Sequence, residues 1–219
     1  MKGVHKMPNI KDLLKLLRGF KSFKEKINQK DETYMQALSQ NQQPKILVIA
    51  CSDSRVDPAI LTNADLGDLF IVRNVANIVP PYQEDHSTYH GTSAAIEFAV
   101  NFLGVKHIIV LGHSNCGGIK ALIETDPRDH GYKFILDWVN IMKDAKEIAQ
   151  KHPAEQRCTV CEQESIKISL ENLATFPFIH NKLLDDKIQI HGFYFRIETG
   201  SILYYNKEEN QFVDLEKIL

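Results

Sequence analysis

Two short stretches carry side chains that could do chemistry. "ACSDSR", residues 50 to 55, puts Cys51, Asp53 and Arg55 at alternating positions, and "LGHSNCGG", residues 111 to 118, puts His113 and Cys116 three residues apart. Two thiols and an imidazole form a soft-to-borderline donor set that suits zinc. Three protein ligands would also leave a fourth position open, as a catalytic zinc requires. Each stretch directly follows a short apolar run, 46–50 and 108–111. Adjacent strands of a parallel sheet present their C-terminal ends on one edge. Cys51, His113 and Cys116 can therefore converge although they are far apart in the chain.

Other chemistries compete for the same residues. "RCTVC" supplies Cys158 and Cys161 at a finger-like spacing, and with His113 and Cys116 they would close a structural zinc site. That arrangement leaves Cys51, Asp53 and Arg55 idle, and the residues from Thr159 onward read as a regular helix. Cys158 and Cys161 are more simply small buried hydrophobes. "GHSNC" is one substitution from the G-x-S-x-G elbow of hydrolases, but Cys116 replaces the final glycine that permits close helix–strand packing. "CSDSR" has too few residues between Cys51 and Arg55 for a phosphatase loop and lacks its glycines. No G-x-G-x-x-G or Walker sequence occurs.

The elements that would position these groups read as an α/β fold. Three continuous apolar runs, 46–50, 69–72 and 108–111, suit parallel strands covered on both faces. Helical patterns lie at 92–103, 133–150 and 160–173. "IQIHGFYFRIETGSILYYN" reads as two strands joined by a turn at Thr199-Gly200-Ser201. The expectation is a mostly parallel central sheet flanked by helices, with an antiparallel C-terminal hairpin extension. Residues 10 to 28 form an amphipathic basic helix bearing Leu13, Leu14, Leu16, Leu17, Phe20, Phe23 and Ile27, which packs either on its own domain or on a partner. The 219 residues hold no linker-like segment and no repeat, so a single domain over 1–219 is expected, with 1–40 as a helical arm. Composition is ordinary, with 43% hydrophobic and 25% charged residues, and the net charge of -2 offers no attraction to nucleic acid or to an anionic membrane. No stretch approaches the roughly 20 apolar residues of a membrane span. Four cysteines are too few for a disulfide scaffold and fit a reducing compartment, so the cytoplasm is expected.

Taken together, "CSDSRV", "RNVAN", "HGTSAAIEFAV" and "GHSNCGG" resemble the β-class carbonic anhydrases, and most closely their plant-like, non-allosteric subgroup. The resemblance runs from about Gln42 to "HGFYFRIETG". It implies a carbonate dehydratase, a zinc-dependent lyase that reversibly hydrates CO2 to bicarbonate and a proton by attack of zinc-bound hydroxide. It implies one zinc per chain, held by Cys51, His113 and Cys116, and an Asp53/Arg55 pair that acts in catalysis. It also implies an N-terminal helical arm gripping a second subunit, with a homodimer as the minimal unit and a tetramer or larger assembly left open.

The substrate is small and apolar, and the resemblance assigns its pocket to Phe70, Val75 and Gly117, with Gln42 supplying an amide. Phe98 stands where relatives carry a tyrosine, so the shape is kept and a hydroxyl is lost. His86 and His90 are candidate proton relays. One branch of the family binds regulatory bicarbonate with a tryptophan, an arginine and a tyrosine. Here those positions read Val48, Arg73 and Phe195, so an open site with Asp53 paired to Arg55 is expected.

Overall fold

The computed structural model describes residues 11–30, 33–85, 89–125 and 133–217. They fall into two compact units, one ending at Gln42 and the other running from Gln43 to the C-terminus. The first unit contains α1 (Lys11–Ile27) and α2 (Tyr34–Gln40). On α1, Leu16, Leu17 and Phe20 are exposed, so among the described residues of this unit nothing covers the apolar stripe.

The second unit is organised by β1 (Ile46–Cys51), α3 (Pro58–Thr62), β2 (Leu69–Asn74), α4 (Gly91–Glu97), β3 (His107–His113) and α5 (Gly117–Glu124). Next come α6 (Lys133–Val139), α7 (Lys143–Ala149), α8 (Arg157–Thr175) and α9 (Pro177–Leu184), then β4 (Gln189–Arg196), β5 (Ser201–Asn206) and β6 (Gln211–Asp214). The strands form one sheet in the order β2-β1-β3-β4-β5-β6. The pairs from β2 to β4 are parallel, and the two pairs beyond β4 are antiparallel. The apolar runs thus form the parallel strands expected of them. The C-terminal extension adds a further strand, β6, whose short "QFVD" carries too little periodicity to announce itself.

The long helical pattern at 133–150 is broken by a 3-10 turn at Asn140–Met142, so that α6 and α7 bury separate faces through Val139, Met142 and Ala145. The pattern ending at Leu103 finishes as a π-helical turn, Phe98–Leu103, whose Val100 carbonyl accepts a bond from Lys182 Nζ at 2.6 Å.

One sheet face buries Leu47, Ile49, Ile108, Val110 and Tyr194 against Ile96, Ile166, Leu170, Leu173 and Ile179 from the helices. The other carries a smaller cluster around Val48, Ala50, Val56, Leu111 and Phe195. Helix α8 lies unusually close beneath β3 and β4. A Cβ at Gly112 would stand 2.7 Å from Ile166 Cδ1, and one at Gly192 would stand 2.9 Å from Ile166 Cγ2. Only glycine permits that approach, and it brings the first turns of α8 up to the ends of the strands.

Candidate metal centre

Strands β1 and β3 are adjacent and parallel, with Ala50 opposite Leu111, so their chains leave the sheet side by side. Cys51 ends one and His113 the other. The chain then turns through Ser114 and Asn115, the latter left-handed at φ 57, and delivers Cys116 to the start of α5. All three side chains are buried, and their ligand atoms lie within 4.8 Å of one another. The two sulfurs are 3.9 Å apart.

His113 Nδ1 lies 2.9 Å from the Ser114 carbonyl oxygen, which can only accept, so Nδ1 carries the proton. Nε2 then presents its lone pair to the two thiols, and this buried atom has no hydrogen-bond partner among the described residues. An orphaned imidazole lone pair facing two sulfurs fits a borderline divalent cation such as zinc.

The protonation tendencies agree with that fit. Cys51 is pulled down to about 4, chiefly by its bond with Cys116, against the opposing effect of burial and with help from His113 and the Ala76 N–H. Cys116 is pushed up by the same bond, by burial and by the charge on Cys51. Burial disfavours a charged His113, but the Cys51 thiolate and the Ser114 carbonyl outweigh it, and the net direction is upward. Without a cation the cluster therefore keeps a proton on Cys116, which a bound cation would displace.

Beside this set, Asp53 and Arg55 form a two-pronged pair, with Nε to Oδ1 at 2.9 Å and Nη2 to Oδ2 at 2.7 Å. The Arg55 backbone N–H adds a bond to Oδ1 at 3.0 Å. The guanidinium holds the Asp53 carboxyl well below the usual carboxylate range. Asp53 Oδ2 is 3.9 Å from His113 Nε2, so the carboxylate borders the cluster without entering it.

Arg73 is committed to the same loop. It donates to the carbonyls of Cys51, Asp53 and Val56 at 3.0, 2.7 and 2.8 Å, and to Asp57 Oδ2 at 3.2 Å. Val48 and Phe195 lie buried in the apolar cluster on the second sheet face.

The wall next to the ligands is the turn after β2. Ala76 and Asn77 are both left-handed, at φ 65 and φ 48. The Asn74 side chain holds the turn by bonding both polar groups of the Ile78 backbone at 2.8 Å. Trp138 Nε1 donates to the Val75 carbonyl at 2.7 Å. A Cβ on Gly118 would come within 2.6 Å of Val75 Cγ1, so glycine lets α5 press against this turn. Gly117 has open space around its Cβ direction.

Val75 and Gly117 thus border the ligands, whereas Phe70 does not. Cys51 pairs with Asn74, and Phe70 sits four positions back along β2, roughly 13 Å away at about 3.3 Å per residue. There Phe70 meets Phe98, which stacks on the exposed Phe102. Gln42 is exposed at the end of the first unit. His90 precedes α4, and His86 lies outside the described residues.

Among the described residues, Cys158 and Cys161 join no metal-holding group. Cys161 is buried, and burial pushes its thiol up to about 12. The closed-site arrangement is therefore not the one the fold builds. Sequence reasoning missed Trp138, Tyr194, Glu198 and Glu162. Glu198 accepts from Ser114 Oγ at 2.5 Å. Glu162 is buried on α8 and accepts from the Cys116 N–H at 2.9 Å and from Tyr194 Oη at 2.7 Å. A lone glutamate within a helix carries no local mark of burial, so no sequence signal would have found it.

The profile of the carbonic anhydrase family matches residues 46–202. Beta carbonic anhydrase 3 of Arabidopsis thaliana is 39% identical over 189 residues, spanning 84% of this chain and 72% of that protein. Among solved structures, the beta-carbonic anhydrase CcaA superposes with a TM-score of 0.86 at 34% identity, covering 93% of this chain and 99% of that one. One of two tetrameric beta-carbonic anhydrases from Sordaria macrospora gives a TM-score of 0.77 at 29% identity, covering 88% and 96%.

Proposed function

This chain belongs to the β-carbonic anhydrase family, and from that premise we propose how its residues divide the work. The reaction is the zinc-dependent reversible hydration of CO2 to bicarbonate and a proton. Cys51 Sγ, His113 Nε2 and Cys116 Sγ would hold the zinc, which when bound would supply a Lewis acid that makes a water nucleophilic near neutral pH. The observation that carries this reading is the buried, unpartnered Nε2 aimed at two thiols.

As thiolates, Cys51 and Cys116 bring two negative charges to the ion. Asp53, kept ionised by Arg55, would accept a hydrogen bond from the attacking water and orient it toward the substrate. Arg55 engages both carboxylate oxygens, which would keep Asp53 out of the ligand set. Val75 and Gly117 form the apolar wall that receives CO2, a molecule with no charge to bind.

The pocket is completed by a second copy of the chain. Phe70 lies too far along β2 to reach the ligands of its own chain, and it opens onto an exposed aromatic strip through Phe98 and Phe102. We assign Phe70 and Gln42 to the partner's site. The uncovered stripe of α1 supports an arm that grips that partner, and the tetrameric relatives support a homo-oligomer built from such dimers. A cytoplasmic setting agrees with four free cysteines and with the lack, among the described residues, of a helix long and apolar enough to cross a membrane.

Metal content and CO2 hydration measured on one purified sample test this reading. The wild type should carry one zinc per chain and be active. Cys51→Ala should lose both properties, and Cys158→Ala should keep both. A Cys51→Ala protein with stoichiometric zinc would refute it.

A further inference from the structure

The peptide group between Asn115 and Cys116 is held at both ends. Its carbonyl oxygen accepts from Arg55 Nη2 at 3.0 Å, and its N–H donates to Glu162 Oε1 at 2.9 Å. Glu162 is 4% exposed, and its second oxygen accepts from the hydroxyl of Tyr194, which is 1% exposed. A continuous line therefore runs from the Asp53 carboxylate through the Arg55 guanidinium, the peptide and the Glu162 carboxyl to the Tyr194 phenol. The peptide dipole lies along this line, with its oxygen end toward a cation and its N–H end toward a carboxyl, so both neighbours favour one orientation of the plane. That orientation needs support. Asn115 is left-handed at φ 57, a conformation asparagine adopts readily, so the bonds at both ends of the peptide, and not local backbone preference alone, fix its plane. Rotation of this one plane would swing the Cys116 thiol away from Cys51 and remove a fixed acceptor from Arg55.

Building on the zinc reading above, we propose that Glu162, backed by Tyr194, is a positioning residue for both halves of the site. Through the Asn115–Cys116 peptide it aims the Cys116 thiolate at the metal and seats Arg55 against Asp53. Glu162 touches neither substrate nor metal. It works from α8, which the glycines of β3 and β4 allow to lie close enough to reach the strand ends.

Zinc-loaded wild type, Glu162→Ala, Glu162→Met, Glu162→Gln and Tyr194→Phe form the test set. The measurements are zinc release to excess chelator, thiolate-to-metal absorption after cobalt(II) substitution, and kcat and KM for CO2 hydration. Glutamine can still accept from the Cys116 N–H and donate its amide to Tyr194 Oη, so Glu162→Gln should stay close to wild type. Glu162→Ala should release zinc about 10–100-fold faster and lose kcat by a similar factor, the size typical of a partner that orients a metal ligand. KM should change little, because the CO2 wall is not touched, and the cobalt absorption should shift. Tyr194→Phe should fall between wild type and Glu162→Ala. If Glu162→Ala does not fold, Glu162→Met, which keeps the bulk and removes both acceptors, should show the same losses. Wild-type zinc release and an unshifted cobalt spectrum in either folded variant would overturn the proposal. Wild-type protein that takes up neither zinc nor cobalt stoichiometrically would overturn the zinc reading as well.

Discussion

Adding one methyl group at Gly118 should act on stability and on the site together. The new Cβ would stand 2.6 Å from Val75 Cγ1, 3.0 Å from Ala76 Cβ and 3.4 Å from the Ala76 nitrogen. Carbon atoms pack best at about 3.5–4.0 Å, so the nearest contact is short by roughly 1 Å. The turn cannot simply give way. Ala76 and Asn77 are both left-handed, the Asn74 side chain pins Ile78, and Trp138 pins the Val75 carbonyl. Overpacking of this kind costs about 1–3 kcal/mol. Alanine recovers about 0.5–1 kcal/mol of helix propensity in α5, leaving a net loss centred on about 1 kcal/mol and at most roughly 2.5 kcal/mol.

The displaced turn also carries the Ala76 N–H, 3.4 Å from Cys51 Sγ, and the Val75 side chain that we assign to the CO2 wall. Gly118→Ala should therefore lower the urea midpoint of the zinc-loaded protein at fixed chain concentration and impair CO2 hydration as well. Gly117 is the internal control, since nothing lies within 4 Å of its Cβ direction. Gly117→Ala should be as stable as wild type or slightly more so, and should raise KM by narrowing the CO2 wall. Wild-type stability of Gly118→Ala, or marked destabilisation by Gly117→Ala, would refute this account of the turn.

Two further outcomes follow from the site. If Phe70 serves the partner, Phe70→Ala and Cys51→Ala should each be impaired alone, and mixed dimers should regain activity at the one site that combines an intact ligand set with an intact Phe70. Chain exchange monitored by CO2 hydration checks this, and no gain on mixing would contradict the assignment. The pH profile should be a single-proton rise without cooperative inhibition by bicarbonate. Asp53 sits well below the usual carboxylate range, so it is already ionised across the working range and adds no second limb. Arg73 spends its donors on the loop from Cys51 to Asp57, and Val48 and Phe195 offer no side-chain hydrogen bond to an anion there. A steep, cooperative bicarbonate dependence would contradict this.

Much of this protein was legible in the order of its residues. Runs such as "ILVIA" and "IIVL" are apolar at every position because both faces are covered, and that lack of alternation points to parallel strands without any knowledge of the partner strand. The ligand types at the strand ends were equally plain, because thiol and imidazole chemistry belongs to the side chain itself. Tertiary structure decided what depends on distance between elements. It put Phe70 four residues short of the ligand end of β2, split the 133–150 helical pattern to bury two faces, and spent Arg73 on the loop it adjoins. It also turned Glu162 inward to grip the Cys116 amide, 46 residues back along the chain. Such a contact leaves no local trace. It exists because Gly112 and Gly192 let α8 lie against the sheet, and periodicity along one segment cannot encode how closely another segment approaches it.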